Sequence, residues 1–394
     1  MEPVNQPPQP ETPPDEVVLK SEPLASTPKY RGLRWVFIGG QGLRAGWSVA
    51  LFIILTFFFL IMLGSAASLI IKKILYLKTG NFTPATLIIT GVIEVLAILG
   101  AGVIVARIES RRIVDYNLTG SRRFVHFLGG LAAGFAALSV LVGALAWGGW
   151  INFGPAALTG GRIFSFGALW VVAFLLTGFW EEGSFRCYLQ FTVTRGINFW
   201  WALGIVGGLC LDLVLRSIGY TGILAFFLPM ISGNSIWGVY FAAVLGLAPC
   251  LWLHLKKAEG SNFWQAAWVT STLFGFVHTG NGGETWVGIF AAAIIGFVFC
   301  VSIRLTGSAW WAIGCHAAWD WAESYFYGTA DSGMVAQGHY LSTSPAGNVL
   351  WSGGTDGPEG SLLVLGVLLL LLLALIVIYG RKRTSTAHTA REVV

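Results

Sequence analysis

The chain alternates between long apolar segments and short polar stretches. Each apolar segment approaches the roughly 20 residues that a helix needs to cross a hydrocarbon core of about 30 Å. A β-barrel would instead show short segments of alternating hydrophobicity. We therefore predict an all-α fold, a polytopic transmembrane helical bundle with about ten membrane helices. The predicted helices cover residues 47–71, 85–106, 124–150, 163–190, 199–215, 236–254, 263–278, 286–304, 309–326 and 362–379.

The composition supports this class and narrows the expected partners. The chain has 394 residues, of which 55% are hydrophobic and 11% charged, whereas soluble domains carry about 25% charged residues. The net charge of +5 comes from basic residues beside the apolar segments, and no glycine-rich phosphate loop follows a strand. We expect the lipid bilayer as a partner and no nucleic acid. The five cysteines are scattered without a Cys-x-x-Cys pair, which argues against a zinc site formed by thiolates.

The linear organisation has four parts. Residues 1–46 are predicted to form a disordered, proline-rich cytoplasmic tail followed by a basic juxtamembrane segment. Residues 47–326 form the predicted membrane core, residues 327–361 a polar loop, and residues 362–394 a C-terminal membrane helix with a basic tail. Basic residues near both ends place both termini in the cytoplasm by the positive-inside rule. We expect an integral protein of a bacterial cytoplasmic membrane.

One apolar segment is too short to cross the membrane. Residues 222–234 contain Pro229 and predict a re-entrant or interfacial piece. If this segment did span, the C-terminal basic run would lie outside the cell, against the positive-inside rule.

Charged residues are rare at membrane depth, and Glu181 and Glu182 end an apolar run with Arg186 close behind. Glu182 and Arg186 are four residues apart, so on a helix they face each other as an ion pair. Glu181 points about 100° away and lacks that partner. A carboxylate in an apolar setting suits a general base that takes a proton from water. An interfacial ion pair at a helix end is the structural alternative.

Two histidines follow later in the chain, each at the end of or within an apolar run. His278 closes one run, and His316 lies four residues before Asp320, on the same helical face. Such a pair can ligate a metal, the carboxylate can orient the imidazole, or the two can serve as a buried polar contact between helices. Together with the glutamates and Arg186, these residues make the inventory of a hydrolytic site. The chain has neither a His-Glu-x-x-His helix nor a Gly-x-Ser-x-Gly elbow.

Three motifs occur in order on separate predicted helices: Glu-Glu-x-x-x-Arg from Glu181, Phe-x-x-x-His ending at His278, and His-x-x-x-Asp from His316. In this order they resemble the CAAX protease and bacteriocin-processing (CPBP) family of intramembrane endopeptidases, which includes the type II CAAX prenyl endopeptidases. The predicted protease region is about residues 163–326.

The resemblance implies a role for each motif residue. Glu181 and His278 would activate the attacking water, while Glu182 and Arg186 would hold the charge and geometry of the site. His316 and Asp320 would stabilise the tetrahedral intermediate or share a metal. If a divalent cation such as zinc is bound, Glu181, His278, His316 and Asp320 are its candidate ligands; a metal-free glutamate mechanism is the alternative for this family.

The chain departs from the family pattern in two ways. The third motif usually ends in asparagine, and an ionised Asp320 would oppose an oxyanion. In addition, 97 positions separate Glu181 from His278, which predicts an inserted helical hairpin around 199–255. Simple topology also places His278 nearer the opposite membrane face from Glu181, so their convergence requires a tilted or broken helix.

The predicted function is hydrolysis of a peptide bond in a membrane-embedded or membrane-anchored, for instance lipidated, protein or peptide. Two other functions stay open. Intramembrane Glu and His also mark proton-coupled transporters, although paired halves with interrupted helices are absent from the sequence. A catalytically silent membrane scaffold of the same family is the other.

Overall fold

The chain folds as an all-α bundle, which confirms the predicted fold class. The computed structural model describes residues 33–40, 42–70, 82–218 and 236–380. Strands are limited to three short antiparallel pairs within these ranges. The helices are α1 (Leu33–Phe37), α2 (Ala45–Ile70), α3 (Pro84–Ile108), α4 (Arg123–Trp147), α5 (Gly161–Glu182), α6 (Gln190–Thr194), α7 (Phe199–Ser217), α8 (Ile236–Phe241), α9 (Ala248–Leu255), α10 (Ser261–Val277), α11 (Trp286–Thr306), α12 (Trp310–Asp320), α13 (Val349–Ser352) and α14 (Leu363–Leu375).

Several helices contain or end in a wider π-helical turn, and short 3₁₀ turns and strands complete the described chain. The π-helical segments are Gly183–Leu189, Ala242–Leu247, Trp321–Tyr327 and Ile376–Gly380, and the 3₁₀ turns are Ile113–Asp115, His278–Gly280 and Pro358–Gly360. The strands are β1 (Ile38–Gly39), β2 (Gly42–Leu43), β3 (Ile151–Phe153), β4 (Ala330–Asp331), β5 (Met334–Val335) and β6 (Thr343–Pro345).

Each of the ten predicted membrane segments contains helix. In the described part of the chain, seven continuous helical stretches are long and apolar enough to cross a membrane, and one of them, Gly161–Thr194, runs through α5, a π-helical turn and α6. The segment 222–234, predicted to be re-entrant or interfacial, lies outside the described residues, as do residues 1–32 of the predicted tail.

The helix ends define two faces of the bundle. At one face, here called the loop face, residues 328–360 cover the helix ends: β6 pairs with β3, and the Gln337 N–H donates to the Phe82 carbonyl. At the opposite face, here called the basic face, Arg195 donates to Glu109 and to the Leu43 carbonyl. The segment 328–360 therefore lies directly against the bundle, because its backbone bonds to the ends of several helices.

Glycines allow α4 and α12 to pack with almost no space between their backbones. A Cβ atom on Gly130 would overlap the Trp311 carbonyl oxygen, and one on Gly134 would overlap the Cys315 carbonyl oxygen. From the other side, a Cβ on Gly314 would overlap the Phe127 carbonyl oxygen. Small residues are the usual means of close helix approach within membranes. This contact fixes the depth and rotation of α12, the helix that carries His316.

The helices α7 and α9 pack at the side of α10 and leave the contact between α6 and α10 intact. Val206, Leu209 and Phe276 belong to one buried apolar cluster there. Gln190 at the start of α6 donates to the Phe263 carbonyl and accepts from the Thr270 hydroxyl at 3.0 Å. The long sequence separation between the first and second motifs therefore does not separate them in space.

Candidate active site

Two of the three motif-bearing helices change to π-helix immediately after their site residues. α5 ends at Glu182 and continues as Gly183–Leu189, while α12 ends at Asp320 and continues as Trp321–Tyr327. π-helical turns are rare and occur frequently at functional sites. On both helices the π-helical turn begins at the residue that follows a motif carboxylate, Glu182 or Asp320.

Glu182 and Arg186 form the predicted ion pair in the interior of the bundle. The Arg186 Nε atom lies 3.1 Å from Glu182 Oε2, and the side chains are 1% and 0% exposed respectively. Removing two charges from water is costly unless they compensate each other. A pair this deeply buried is not the interfacial ion pair that was the structural alternative.

The guanidinium of Arg186 lies in an aromatic enclosure. Its Cζ atom is 4.1 Å from the centre of the Phe274 ring and 5.5 Å from that of Phe299. A Cβ atom on Gly296 would overlap Nη2. Gly296 therefore leaves the space that the guanidinium occupies, and cation–π attraction in a desolvated setting holds it there.

His316 connects the three motif carboxylates. Its Nδ1 atom is 2.8 Å from Glu182 Oε1, and its Nε2 atom is 3.8 Å from Glu181 Oε2 and 3.5 Å from Asp320 Oδ2. An ionised carboxylate only accepts hydrogen bonds, so Nδ1 carries the hydrogen toward Glu182. The first and third motifs thus meet at one imidazole. Arg186 is linked to this imidazole through Glu182, which contacts both side chains.

His278 reaches the same cavity because α10 ends just before it. The chain turns into the 3₁₀ segment His278–Gly280, and His278 Nδ1 bonds the Phe274 carbonyl oxygen at 2.8 Å. Since a carbonyl accepts, Nδ1 donates and Nε2 is left as an acceptor. No described carboxylate forms an ion pair with His278 within 4.0 Å. The structure therefore places His278 beside the cavity but not in contact with Glu181.

The cavity itself lies between α10, α11, α12 and α14. It is partly open to the outside, and its polar lining includes His278, His316 and Asp320. Most of the remaining wall is apolar, with Ile295 and Leu368 among its residues. Such a combination of apolar walls and a few convergent polar groups is typical of ligand pockets.

The residues predicted as metal ligands do not have the spacing of a metal site. Within the described ranges, no group of three or more His, Cys, Asp or Glu side chains is arranged to hold a metal ion. His316 also directs its Nδ1 atom at Glu182 rather than into the cavity. In this arrangement the four candidate ligands do not form such a group.

Sequence reasoning missed a further intramembrane carboxylate, Glu94 on α3. On this helix, Gly91 packs against Leu176 and Ile98 lies against Gly183. Glu94 is between them on the face that meets α5, close enough to interact electrostatically with Glu181. A single glutamate inside the apolar run 85–106 was the available signal.

A group of five carboxyls at the loop face was also missed. Three of them lie in the loop that the sequence showed only as polar, and burial there raises the pKa of each. The pKa of Asp331 rises to about 6 and that of Asp356 to about 7, while the pKa of Glu359 is held well above 4.5 by burial and by nearby Asp331. We call the following five residues the acidic group: Glu284, Glu323, Asp331, Asp356 and Glu359.

A comparison with protein families supports the assignment made from the motifs. Residues 163–322 match the family model described as type II CAAX prenyl endopeptidase Rce1-like. The CPBP assignment is confirmed. The matched region begins in α5 and ends two residues after Asp320, so it contains all three motifs. Neither the curated proteins nor the solved structures contain a significant match to it.

Proposed function

We propose that this chain is an intramembrane endopeptidase that hydrolyses a peptide bond of a membrane-associated or lipidated substrate. The observation that carries the proposal is the convergence of Glu181, Glu182 and Asp320 on His316, within the region that matches a prenyl endopeptidase family. His316 and His278 line one cavity beside these carboxylates. The cavity is partly open, which gives a route from outside the bundle to the reacting groups.

Glu181 is the proposed general base. It has no ion pair with a Lys or Arg among the described residues, and its side chain is 25% exposed, so a water molecule has access to it. Its Oε2 atom lies 3.8 Å from His316 Nε2, and its carboxyl group interacts electrostatically with Glu94. His278, with its Nε2 atom available as an acceptor, is the proposed second contact for the attacking water.

His316 is the proposed donor to the oxyanion. Glu182 orients its ring through Nδ1, and Arg186 balances the charge of Glu182. This leaves Nε2 directed toward Glu181 and Asp320, where a negative charge on the tetrahedral intermediate would be stabilised if Nε2 also carries a proton. Asp320 must be protonated for the same purpose, because an ionised carboxylate next to an oxyanion raises the barrier.

The charge distribution supports an orientation with the basic face in the cytoplasm. The helix ends at that face carry most of the described basic residues, whereas those at the loop face carry Arg162 and Arg216. Lysine and arginine near membrane segments favour the cytoplasmic side. The residues concerned at the basic face are Arg34, Arg44, Arg107, Arg111, Arg112, Arg122, Arg123, Arg195, Lys256, Lys257 and Arg304.

The proposal is tested with Glu181→Gln, which keeps the size of the side chain but cannot accept the water proton. Membranes that contain the wild type, Glu181→Gln or the exposed-site control Glu259→Gln are compared by quantitative proteomics of new peptide termini. We expect at least one cleavage to slow by about 10²–10⁴-fold in Glu181→Gln alone. A cleavage that needs the protein but proceeds equally in all three membranes would refute Glu181 as the base. If no cleavage depends on the presence of the protein, the scaffold function is favoured.

A further inference from the structure

The active-site cavity has a second polar side, formed by residues that no motif contains. Glu359 and Trp319 line the cavity together with Asp320. The Trp319 Nε1 atom lies 2.7 Å from Glu359 Oε1 and 3.0 Å from Glu323 Oε2. One indole N–H is therefore shared by two carboxyl groups.

The acidic group contains further oxygen atoms without a partner. Glu323 and Asp356 are 0% exposed, yet Glu323 Oε1, Asp356 Oδ1 and Glu284 Oε1 have no hydrogen-bond partner in the part of the chain that the structure describes. Two of the carboxyls also converge, since Asp356 Oδ2 and Glu284 Oε1 lie 2.5 and 2.6 Å from the position of a Cβ on Gly288. Buried polar atoms of this kind are normally satisfied.

No described lysine or arginine forms an ion pair with any member of the acidic group. Carboxyls gathered in this way require either shared protons or a cation from outside the chain. The spacing of the described side chains does not suit a metal ion. An ammonium ion fits better, because it is compact and has three N–H donors to give.

The remaining cavity wall indicates what the ammonium would be attached to. Ala291, Ile295 and Leu368 present apolar surface next to Glu359 and Asp320. A lysine side chain buries its alkyl stem along apolar surface while its charged end contacts polar groups. A free amino terminus preceding an apolar residue has the same combination of chemistry.

We propose that the cavity binds a protonated amine of the substrate, from a lysine side chain or a free amino terminus, against the Glu359 carboxylate. This inference rests on the proposed endopeptidase function and adds the substrate class. The Glu359 carboxylate also disfavours a substrate with a negative charge at that position, since like charges at low dielectric repel strongly. The enzyme thus selects amine-bearing segments and rejects their acidic counterparts.

The test uses the full-length protein in lipid vesicles and a membrane-anchored peptide that it cleaves. Versions of this peptide carry lysine, norleucine or glutamate at successive positions around the cleaved bond, each with a free or an acetylated amino terminus. We expect the ratio of kcat/KM for lysine over norleucine, or for free over acetylated terminus, to exceed about tenfold at one position. The first pattern identifies a lysine side chain as the source of the amine and the second a free terminus.

Glu359→Gln is then compared with the control Glu259→Gln, an exposed carboxylate at the basic face. We expect Glu359→Gln to reduce the amine preference by roughly tenfold to a hundredfold, and Glu259→Gln to leave the ratio unchanged. Cleavage of all peptides at equal rates by the wild type would overturn the inference while leaving the endopeptidase function intact. So would a preference that is lost on chelation and restored by a divalent cation.

A binding measurement separates this inference from failure of the proposed function. The lysine peptide should raise the melting temperature of the Glu181→Gln protein more than the norleucine peptide does, whether or not the wild type cleaves either. The difference should disappear in the Glu181→Gln/Glu359→Gln double variant. Equal shifts from both peptides would contradict amine binding even if cleavage is observed.

Discussion

Replacement of Arg186 by alanine tests whether the buried ion pair holds the site together. The change removes the partner of Glu182, whose side chain is 0% exposed and lies 3.1 Å from Arg186. After the change, the hydrogen bond from His316 at 2.8 Å is the remaining polar contact of Glu182 among the described residues. The variant also empties the space between Phe274, Phe299 and Gly296.

The expected cost is about 3–5 kcal/mol of unfolding free energy, the value for removing one partner of a buried pair. Arg195→Ala is the matched control, because it also removes an arginine from a buried glutamate. Glu109 keeps Arg111 at 3.4 Å and the Ser48 hydroxyl at 2.7 Å. Its charge stays compensated, so Arg195→Ala should cost clearly less than Arg186→Ala.

The assay is equilibrium unfolding in mixed detergent micelles, followed by tryptophan fluorescence. The double variant Glu182→Gln/Arg186→Ala should be more stable than Arg186→Ala alone, because the amide leaves no uncompensated charge in the interior. If Arg186→Ala unfolds within about 1 kcal/mol of the wild type, the charge of Glu182 is stabilised by something other than Arg186. Equal stability of the single and double variants would contradict the reasoning as well.

Three further changes test other parts of the site. Asp320→Asn should retain or raise cleavage in a metal-free site, since an amide donates to the oxyanion without adding charge. That expectation would be refuted if chelators inactivate the wild type and if the wild type contains stoichiometric zinc that this variant loses. Gly296→Ala should displace the Arg186 guanidinium and lower stability and kcat together. The control Gly366→Ala, where a Cβ meets open space, should change neither. A wild-type kcat in Gly296→Ala would show that the guanidinium moves freely. Burial raises the pKa of Asp356 from 3.8 to about 7, so its contribution to stability is fully present below about pH 4 and is lost as pH rises through 7. Hydrogen exchange in residues 328–360 should therefore be faster at pH 8 than at pH 5 after correction for intrinsic rates. The difference between the two pH values should be smaller in Asp356→Asn. A difference of the same size in the variant would assign the effect to another group.

The sequence by itself was sufficient for the class of fold and for the list of motif residues. Apolar segments of membrane length must form helices, because no water is present to satisfy their backbone groups. Charged residues within such segments are costly, so Glu181, Glu182 and Arg186 were conspicuous. The spacing of four residues also sufficed to predict the Glu182–Arg186 pair, since it depends only on the geometry of one helix.

The tertiary structure decided which residues share the site. Glu94 and Glu359 lie outside the three motifs, and no local spacing connects Glu94 with Glu181 or Glu359 with Asp320. His278 was expected near the opposite membrane face, but its helix ends just before it and the side chain lines the same cavity as His316. Close approach of α4 and α12 at Gly130 and Gly134 fixes the position of His316. Contacts of this kind depend on packing between distant segments, and helix periodicity carries no information about which distant segments will meet.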